Sequence, residues 1–194
     1  MGVALRTIVS DRPVLSELRN LPGVLPSPMK SREALPFSLK KGGLPRGSLI
    51  EISGGLGQGK TEALISFLAE NRNLKTAWIE SSLNLNPFCF WQNRVSLGNI
   101  LFIEPETDFE LEWAANQAVS SGLFQLVIVQ DDRFSLSASV LRRIQIMVRK
   151  LKSIFIVLSS SARVSDSWLF TDRLNFFRKD GVVRCRTATS IATF

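Results

Sequence analysis

The sequence predicts an α/β fold, a mostly parallel sheet covered by helices on both faces and ending in a C-terminal antiparallel hairpin. Three observations predict it. The apolar runs LVIV (126–129) and IFIVL (154–158) are nearly continuous, as strands buried on both faces are. Segments of helical periodicity, roughly 10–15 residues long, alternate with such runs. Near the end, Asp180-Gly181 divides two strand-like stretches, a short-hairpin signal.

The elements follow in order. Residues 1–34 read as an N-terminal helix and linker: VLSELRNL (Val14 to Leu21) has helical spacing, and the three prolines of the PGVLPSPMKS that follows break any regular element. The core is expected over residues 35–194. SLIEIS (48–53) is a strand leading into a glycine-rich loop, and KTEALISFLAENR (60–72) is a helix. LKTAWIES (74–81) and ILFIEP (100–105) are strands. TDFELEWAANQAVSSG is a helix with Thr107 and Glu110 at capping-box spacing and Gly122 at its end. After the LVIV strand, SASVLRRIQIMVRKLK places Val140, Leu141, Ile144, Met147, Val148 and Leu151 on one face. IFIVLSS (154–160) is another buried strand, and LNFFRKDGVVRCRT forms the hairpin.

Bulk properties narrow the function classes. At 194 residues, 45% hydrophobic, the chain can bury one stable core without staples. Cys89 and Cys185 lie far apart, so neither a disulfide framework nor a zinc site is indicated. The absence of histidine and tyrosine removes imidazole bases, imidazole metal ligands and tyrosine stacking. No apolar run reaches membrane-spanning length, and Arg6 stands where a myristoylation signal needs Ser or Thr. A soluble cytoplasmic protein is expected. Charge is uneven: residues 1–50 hold 8 basic and 3 acidic side chains, residues 51–130 hold 4 and 9, and residues 131–194 hold 12 and 5. The basic ends suit nucleic acid or an acidic partner, or serve as solvated faces.

Chemistry concentrates in ISGGLGQGKTEAL (Ile52 to Leu64). Gly54, Gly59, Lys60 and Thr61 complete a Gly-x4-Gly-Lys-Thr phosphate loop between a predicted strand and a predicted helix. Gly54, Gly55, Leu56, Gly57, Gln58 and Gly59 can turn successive backbone N–H groups toward phosphate oxygens, and the helix adds its positive end. Lys60 reaches the terminal phosphates and Thr61 can ligate magnesium, which makes ATP with Mg2+ the expected cofactor.

GGLPRGSLIEISGGLGQGKT (Gly42 to Thr61) resembles the lead-in and P-loop of RecA-type ATPases. LKTAWIESSLNLNP is similar to that family's second strand and following loop. NILFIEPETDFELEWAANQAVSSGLFQLVIV is similar to its next strand, helix and Walker B strand. The resemblance covers about residues 35–160 and implies a RecA-like P-loop core, truncated relative to the recombinases.

The departures from that family matter more than the match. The resemblance places an acidic residue at Glu80, but the water-activating glutamate falls on Ser82 and the Walker B aspartate on Gln130, with Asp131 and Asp132 immediately after. Asp131, by a one-residue shift, and Glu80 are the candidate catalytic carboxylates, and Asp131 with Thr61 the candidate magnesium ligands. Weak or absent hydrolysis is expected, since positioning and electrostatics are nearly the whole of catalysis in such sites. Only DDRFSLSA separates Val129 from the next helix, so the first DNA-contacting loop of recombinases is nearly missing, and no recombinase C-terminal domain is expected before Phe194. The architecture most resembles the short ImuA group of bacterial mutagenesis cassettes. That resemblance implies a DNA-damage-tolerance role beside a polymerase-like partner of the ImuB kind, or another polymerase or recombinase component. The RecA-related division inhibitor SulA is disfavoured by the complete P-loop. Two alternatives stand: a DNA-dependent ATPase of recombinase type, and an interaction protein with a vestigial P-loop.

Two surfaces are candidates for partner contact. Trp78 and Trp113 fit core positions, whereas Trp91, in NPFCFWQNR with Phe88, Phe90 and Arg94, suits base stacking or a partner. Arg142, Arg143, Arg149, Lys150 and Lys152, with Arg178, Lys179, Arg184 and Arg186 of the hairpin, suit DNA phosphate or an acidic partner, or keep an edge strand from aggregating. Arg184 and Arg186 lie far along the chain from the phosphate loop and are expected to couple to it only through the fold.

Overall fold

A computed structural model describes residues 33–83, 85–130, 132–133, 135–163 and 167–188. The helix expected at Val14 to Leu21 lies outside them. Strands β1 (Ala34–Leu35) and β2 (Leu44–Pro45) form a small antiparallel pair. The main sheet contains β3 (Ser48–Ser53), β4 (Thr76–Ile79), β5 (Ile100–Ile103), β6 (Leu126–Gln130), β7 (Ile154–Ser159), β8 (Asp172–Lys179) and β9 (Val182–Ala188). Its order is β5-β4-β6-β7-β3-β8-β9, parallel throughout except for the antiparallel β8–β9 pair.

Among the described residues four α-helices cover the sheet: α1 (Lys60–Glu70), α2 (Pro87–Gln92), α3 (Asp108–Ser120) and α4 (Ala138–Leu151). Successive strand residues point to opposite faces, and β3 shows the consequence. Ile50 and Ile52 join one buried cluster with Phe67 of α1 and Phe90 of α2, while Leu49 joins another with Leu111 of α3 and Ile144 of α4. The short α2 escaped sequence reading because its signal is local: Asn86 caps it by accepting the Phe88 N–H at 3.0 Å, and Pro87 sits at its first position.

α3 starts as predicted, with the Thr107 hydroxyl accepting the Glu110 N–H at 3.2 Å, but Trp113 departs from expectation. The helix buries Leu111, Ala114, Ala115, Ala118 and Val119, a stripe at helical spacing made mainly of alanine, which lets its backbone approach the sheet. Trp113, two positions after Leu111, falls on the opposite face and is 58% exposed. Trp78 is fully buried, as expected. On α4, Val140, Leu141, Ile144 and Val148 are buried, and Arg142, Arg143, Ile146, Arg149 and Lys150 form the outer face. No helix among the described residues is long and apolar enough to cross a membrane.

The strand order places the phosphate loop. It leaves the C-terminal end of β3, between β7 and β8, where parallel sheets characteristically bind ligands. Ser53, the last residue of β3, pairs with Ser159 of β7 and with Asn175 of β8. β8 continues four residues beyond that level to Lys179, so it overhangs the loop. The chain then reverses at Asp180 (φ 53°) and Gly181 (φ 76°), both left-handed, as a primed hairpin turn requires.

Candidate phosphate-binding site

Gly54 opens the loop, and its role is to thread a narrow gap. Its N–H donates to the Ser159 carbonyl at 3.2 Å, its φ is +154°, and a Cβ there would lie 2.5 Å from the Phe176 carbonyl oxygen. Gly55, Leu56, Gly57, Gln58, Gly59, Lys60 and Thr61 then form one wall of a cleft of about 300 Å³. Gly57 (φ 73°) and Gly59 (φ 89°) supply the left-handed turns. Gly59 is the N-cap of α1, and no side chain caps that helix. The first-turn amides therefore remain for an outside acceptor, the arrangement an anion needs.

The opposite wall comes from the ends of β6 and β7: Gln130, Asp132, Leu158 and Ser160. Lys60 crosses toward it, donating from Nζ to the Ser159 carbonyl at 2.7 Å. Partial burial lowers the Lys60 pKa from its ordinary value, and the neighbouring Asp132 carboxylate works against that shift. Asp132 accepts bonds at Oδ1 from the Ser160 N–H (2.7 Å) and hydroxyl (2.6 Å), and at Oδ2 from Gln130 Nε2 (3.2 Å). It thereby ties the end of β6 to the end of β7.

The candidate carboxylates thus separate. Asp131 lies outside the described residues, and its neighbour Asp132 lines the cleft. Gln130 also lines it, so an amide stands at the position that the family resemblance assigns to the Walker B aspartate. Glu80 is 6% exposed and does not line the cleft. Its Oε2 accepts the Trp78 indole N–H at 3.2 Å. Burial is the main force raising the Glu80 pKa, the Asp132 and Glu104 charges add to it, and the indole bond opposes it. Ser82 is exposed. No group of three or more acidic, histidine or cysteine side chains suited to a metal ion occurs among the described residues. The donor set fits a magnesium ion carried in on phosphate, with the Thr61 hydroxyl as a protein ligand, rather than a metal held by the chain alone.

A third wall was not anticipated. Val183 of β9 lies so close to the loop that a Cβ on Gly59 would meet its Cγ2 at 2.4 Å. Arg178 of β8 lines the cleft. Its backbone N–H donates to Gln58 Oε1 at 2.6 Å, Nη2 donates to Glu62 Oε2 at 2.6 Å, and Nη1 donates to the Gly181 carbonyl at 2.7 Å. The hairpin, more than a hundred positions downstream, is in direct contact with the phosphate loop through Arg178 and Val183. Nothing local marks these residues; only the β3–β8 pairing brings them there.

The structure therefore brings residues 55–62, Gln130, Asp132, Leu158, Ser160 and Arg178 together and leaves Glu80 and Trp91 outside that lining. Trp91 (70% exposed) stacks on Phe88, ring centroids 5.4 Å apart, on α2. Arg142 lies over exposed Trp168 at 5.3 Å, and Arg186 over Phe177 at 4.6 Å.

No family model matches the chain. Over 98 residues, 50% of the chain, it is 32% identical to Protein RecA of Levilactobacillus brevis, covering 26% of that protein. It is 34% identical over 98 residues to Protein RecA of Enterococcus faecalis and 29% identical over 98 residues to Protein RecA of Heliobacterium modesticaldum, covering 28% of each. The chain spans about a quarter of the length of the curated relatives it matches. This weak similarity over half the chain, with the α/β architecture, supports a RecA-like superfamily assignment.

Proposed function

We propose that this protein is a RecA-like nucleotide-binding accessory of DNA damage tolerance that binds magnesium-ATP and hydrolyses it slowly or not at all. One observation carries the slow-hydrolysis part: Asp132, the cleft carboxylate beside Lys60, is tied at both oxygens to the cleft's own wall. Ser160 donates to one of its oxygens and Gln130 to the other. Glu80 is buried on Trp78. Asp132 and Glu80 both already accept hydrogen bonds from the protein, which opposes their use as a general base.

Bound magnesium would neutralise phosphate charge. The chain's own residues would do the rest: loop amides orient the phosphates, Lys60 exchanges the Ser159 carbonyl for a phosphate oxygen, and Thr61 offers its hydroxyl to the metal. A cytoplasmic, ImuA-type role beside a polymerase-like partner rests on the family resemblance and the lost catalytic acids. The position of Asp132 beside Lys60 is what favours the alternative, a DNA-dependent ATPase. Calorimetry with magnesium-ATP should give binding that Lys60→Ala removes, and turnover should stay low with and without single-stranded DNA. Equal affinity of wild type and variant would refute nucleotide binding at this loop. DNA-stimulated turnover lost in Asp132→Asn would establish the ATPase instead.

A further inference from the structure

We propose that Arg178 is a phosphate-contacting residue at the nucleoside end of the cleft, and that its transfer from Glu62 to the nucleotide couples occupancy to the β8–β9 hairpin. This rests on the nucleotide-binding function proposed above. The sheet order sets the polarity. Asp132 and Gln130, on β6 and its following loop, stand on the β7 side of the phosphate loop, and Lys60 points to that side through the Ser159 carbonyl. Lysine and the magnesium-binding hydroxyl of such a loop serve the terminal phosphates, so the terminal end of the nucleotide belongs on that side. β8 flanks the loop on the other side, which leaves Arg178 beside the phosphate nearest the nucleoside.

Glu62 makes an arginine necessary there. It follows Thr61 in the first turn of α1 and lines the cleft, so its carboxylate repels any phosphate held by the loop. Arg178 neutralises it at 2.6 Å, but the two side chains are 38% and 62% exposed, and solvent screens such a pair. A phosphate presents more charge and matches the guanidinium fork with two parallel bonds, so it competes well for Arg178. The same guanidinium holds the Gly181 carbonyl of the hairpin turn, and the Arg178 backbone N–H holds Gln58 of the loop. When Arg178 swings to phosphate, the turn loses its tether while β8 stays bonded to the loop. Nucleotide occupancy thereby reaches the strand that carries Arg184 and Arg186.

Because the contact is to a phosphate that ATP and ADP share, its loss should affect both alike. Calorimetry with ATP and with ADP, each with magnesium, is the test. Arg178→Ala should weaken both by about tenfold, the scale of one charge-assisted hydrogen bond. Arg178→Lys should recover part of the loss, and Glu62→Gln, which frees Arg178 and removes a repulsive charge, should tighten both. Hydrogen exchange at residues 180–182 should rise on adding nucleotide to wild type and not to Arg178→Ala. Unchanged affinity in Arg178→Ala, a loss confined to ATP, or weaker binding in Glu62→Gln would each overturn the proposal. If Lys60→Ala abolishes binding while Arg178→Ala does not change it, nucleotide binding stands and only the Arg178 contact fails. If wild type binds neither nucleotide, both fall.

Discussion

β9, at one edge of the sheet, exposes Arg184 and Arg186 and sets Val183 against Gly59 of the phosphate loop. β5, at the other edge, is four residues long, exposes Leu101, and ends near an apolar hollow of about 260 Å³ lined by Leu83, Leu85, Pro87, Phe90, Leu97 and Phe102. Polar contacts secure the hairpin at the first edge to the cleft: the charged pair of Arg178 with Glu62, and the neutral bond from the Arg178 backbone N–H to Gln58. Aromatic packing secures the second, where Phe90 stands edge-on to both Trp78 (6.0 Å) and Phe102 (5.9 Å). Polar contacts can be exchanged for a ligand's at little net cost, whereas buried rings have no competing partner. The hairpin edge is therefore the one built to respond to the cleft. The β5 edge is built to stay as it is.

The comparison breaks most severely at Glu51, the buried carboxylate in the middle of β3. It accepts Arg173 Nε and the Arg163 N–H, both at 2.6 Å, and so joins β8 and the loop after β7 to the central strand. Glu51→Ala leaves the Arg173 charge without this partner and should cost about 3–5 kcal/mol, read as a lowered denaturation midpoint. Calorimetry on the surviving folded fraction should then show weaker nucleotide binding, because β8 carries Arg178. A loss below about 1 kcal/mol would mean the hairpin edge does not depend on this pair.

Next in size is Gly54→Ala, which forces a Cβ against the Phe176 backbone and should cost about 1–3 kcal/mol, the scale of local backbone strain. Gly59→Ala meets instead the side chain of Val183, so Val183→Ala should rescue part of the Gly59→Ala defect and none of the Gly54→Ala defect. Equal rescue of both would show that the hairpin does not rest on the loop as the geometry states.

A smaller effect is expected at Glu80. Its carboxyl pKa is raised in the fold, so the folded state holds the proton more tightly than the unfolded state does. The resulting stability is complete below the ordinary carboxylate range and disappears as pH rises through the raised value. Glu80→Gln, always neutral, should melt higher than wild type at pH 7 and lose that advantage near pH 4. The opposite ordering would place a charge-stabilising partner on Glu80.

The smallest effect is on the far edge. Trp91→Ala, at an exposed ring stacked on Phe88, should change stability by no more than about 0.5 kcal/mol and leave ATP affinity unchanged. A change in nucleotide affinity would abolish the contrast between the two edges.

Much of this molecule was legible before folding, and the elements that were share a property. The strands at residues 48–53, 126–130 and 154–159, the phosphate loop and the turn at Asp180-Gly181 are each specified by a few adjacent residues. The misreading of Trp113 has the complementary cause. Residue type argued for burial, but the alanine stripe of α3 had already chosen the face, and a helix can turn only one face to the sheet. At the site, Lys60, Thr61 and the loop glycines were evident from spacing, and Arg178 was noted only as one basic residue among many.

What the sequence determined by itself is the local chemistry: a loop able to turn its amides toward phosphate, a serine at position 82 and an amide at position 130, and strands and helices of the right length to form a covered parallel sheet. Only the tertiary structure decided that Asp132 reaches across to Ser160, that Glu80 lies buried beside Trp78, and that the hairpin forms the third wall of the cleft. The physical reason is strand order. Pairing β8 with β3 brings residues 58 and 178, and 59 and 183, into contact across more than a hundred positions, and neither periodicity nor motif spacing carries information over that distance.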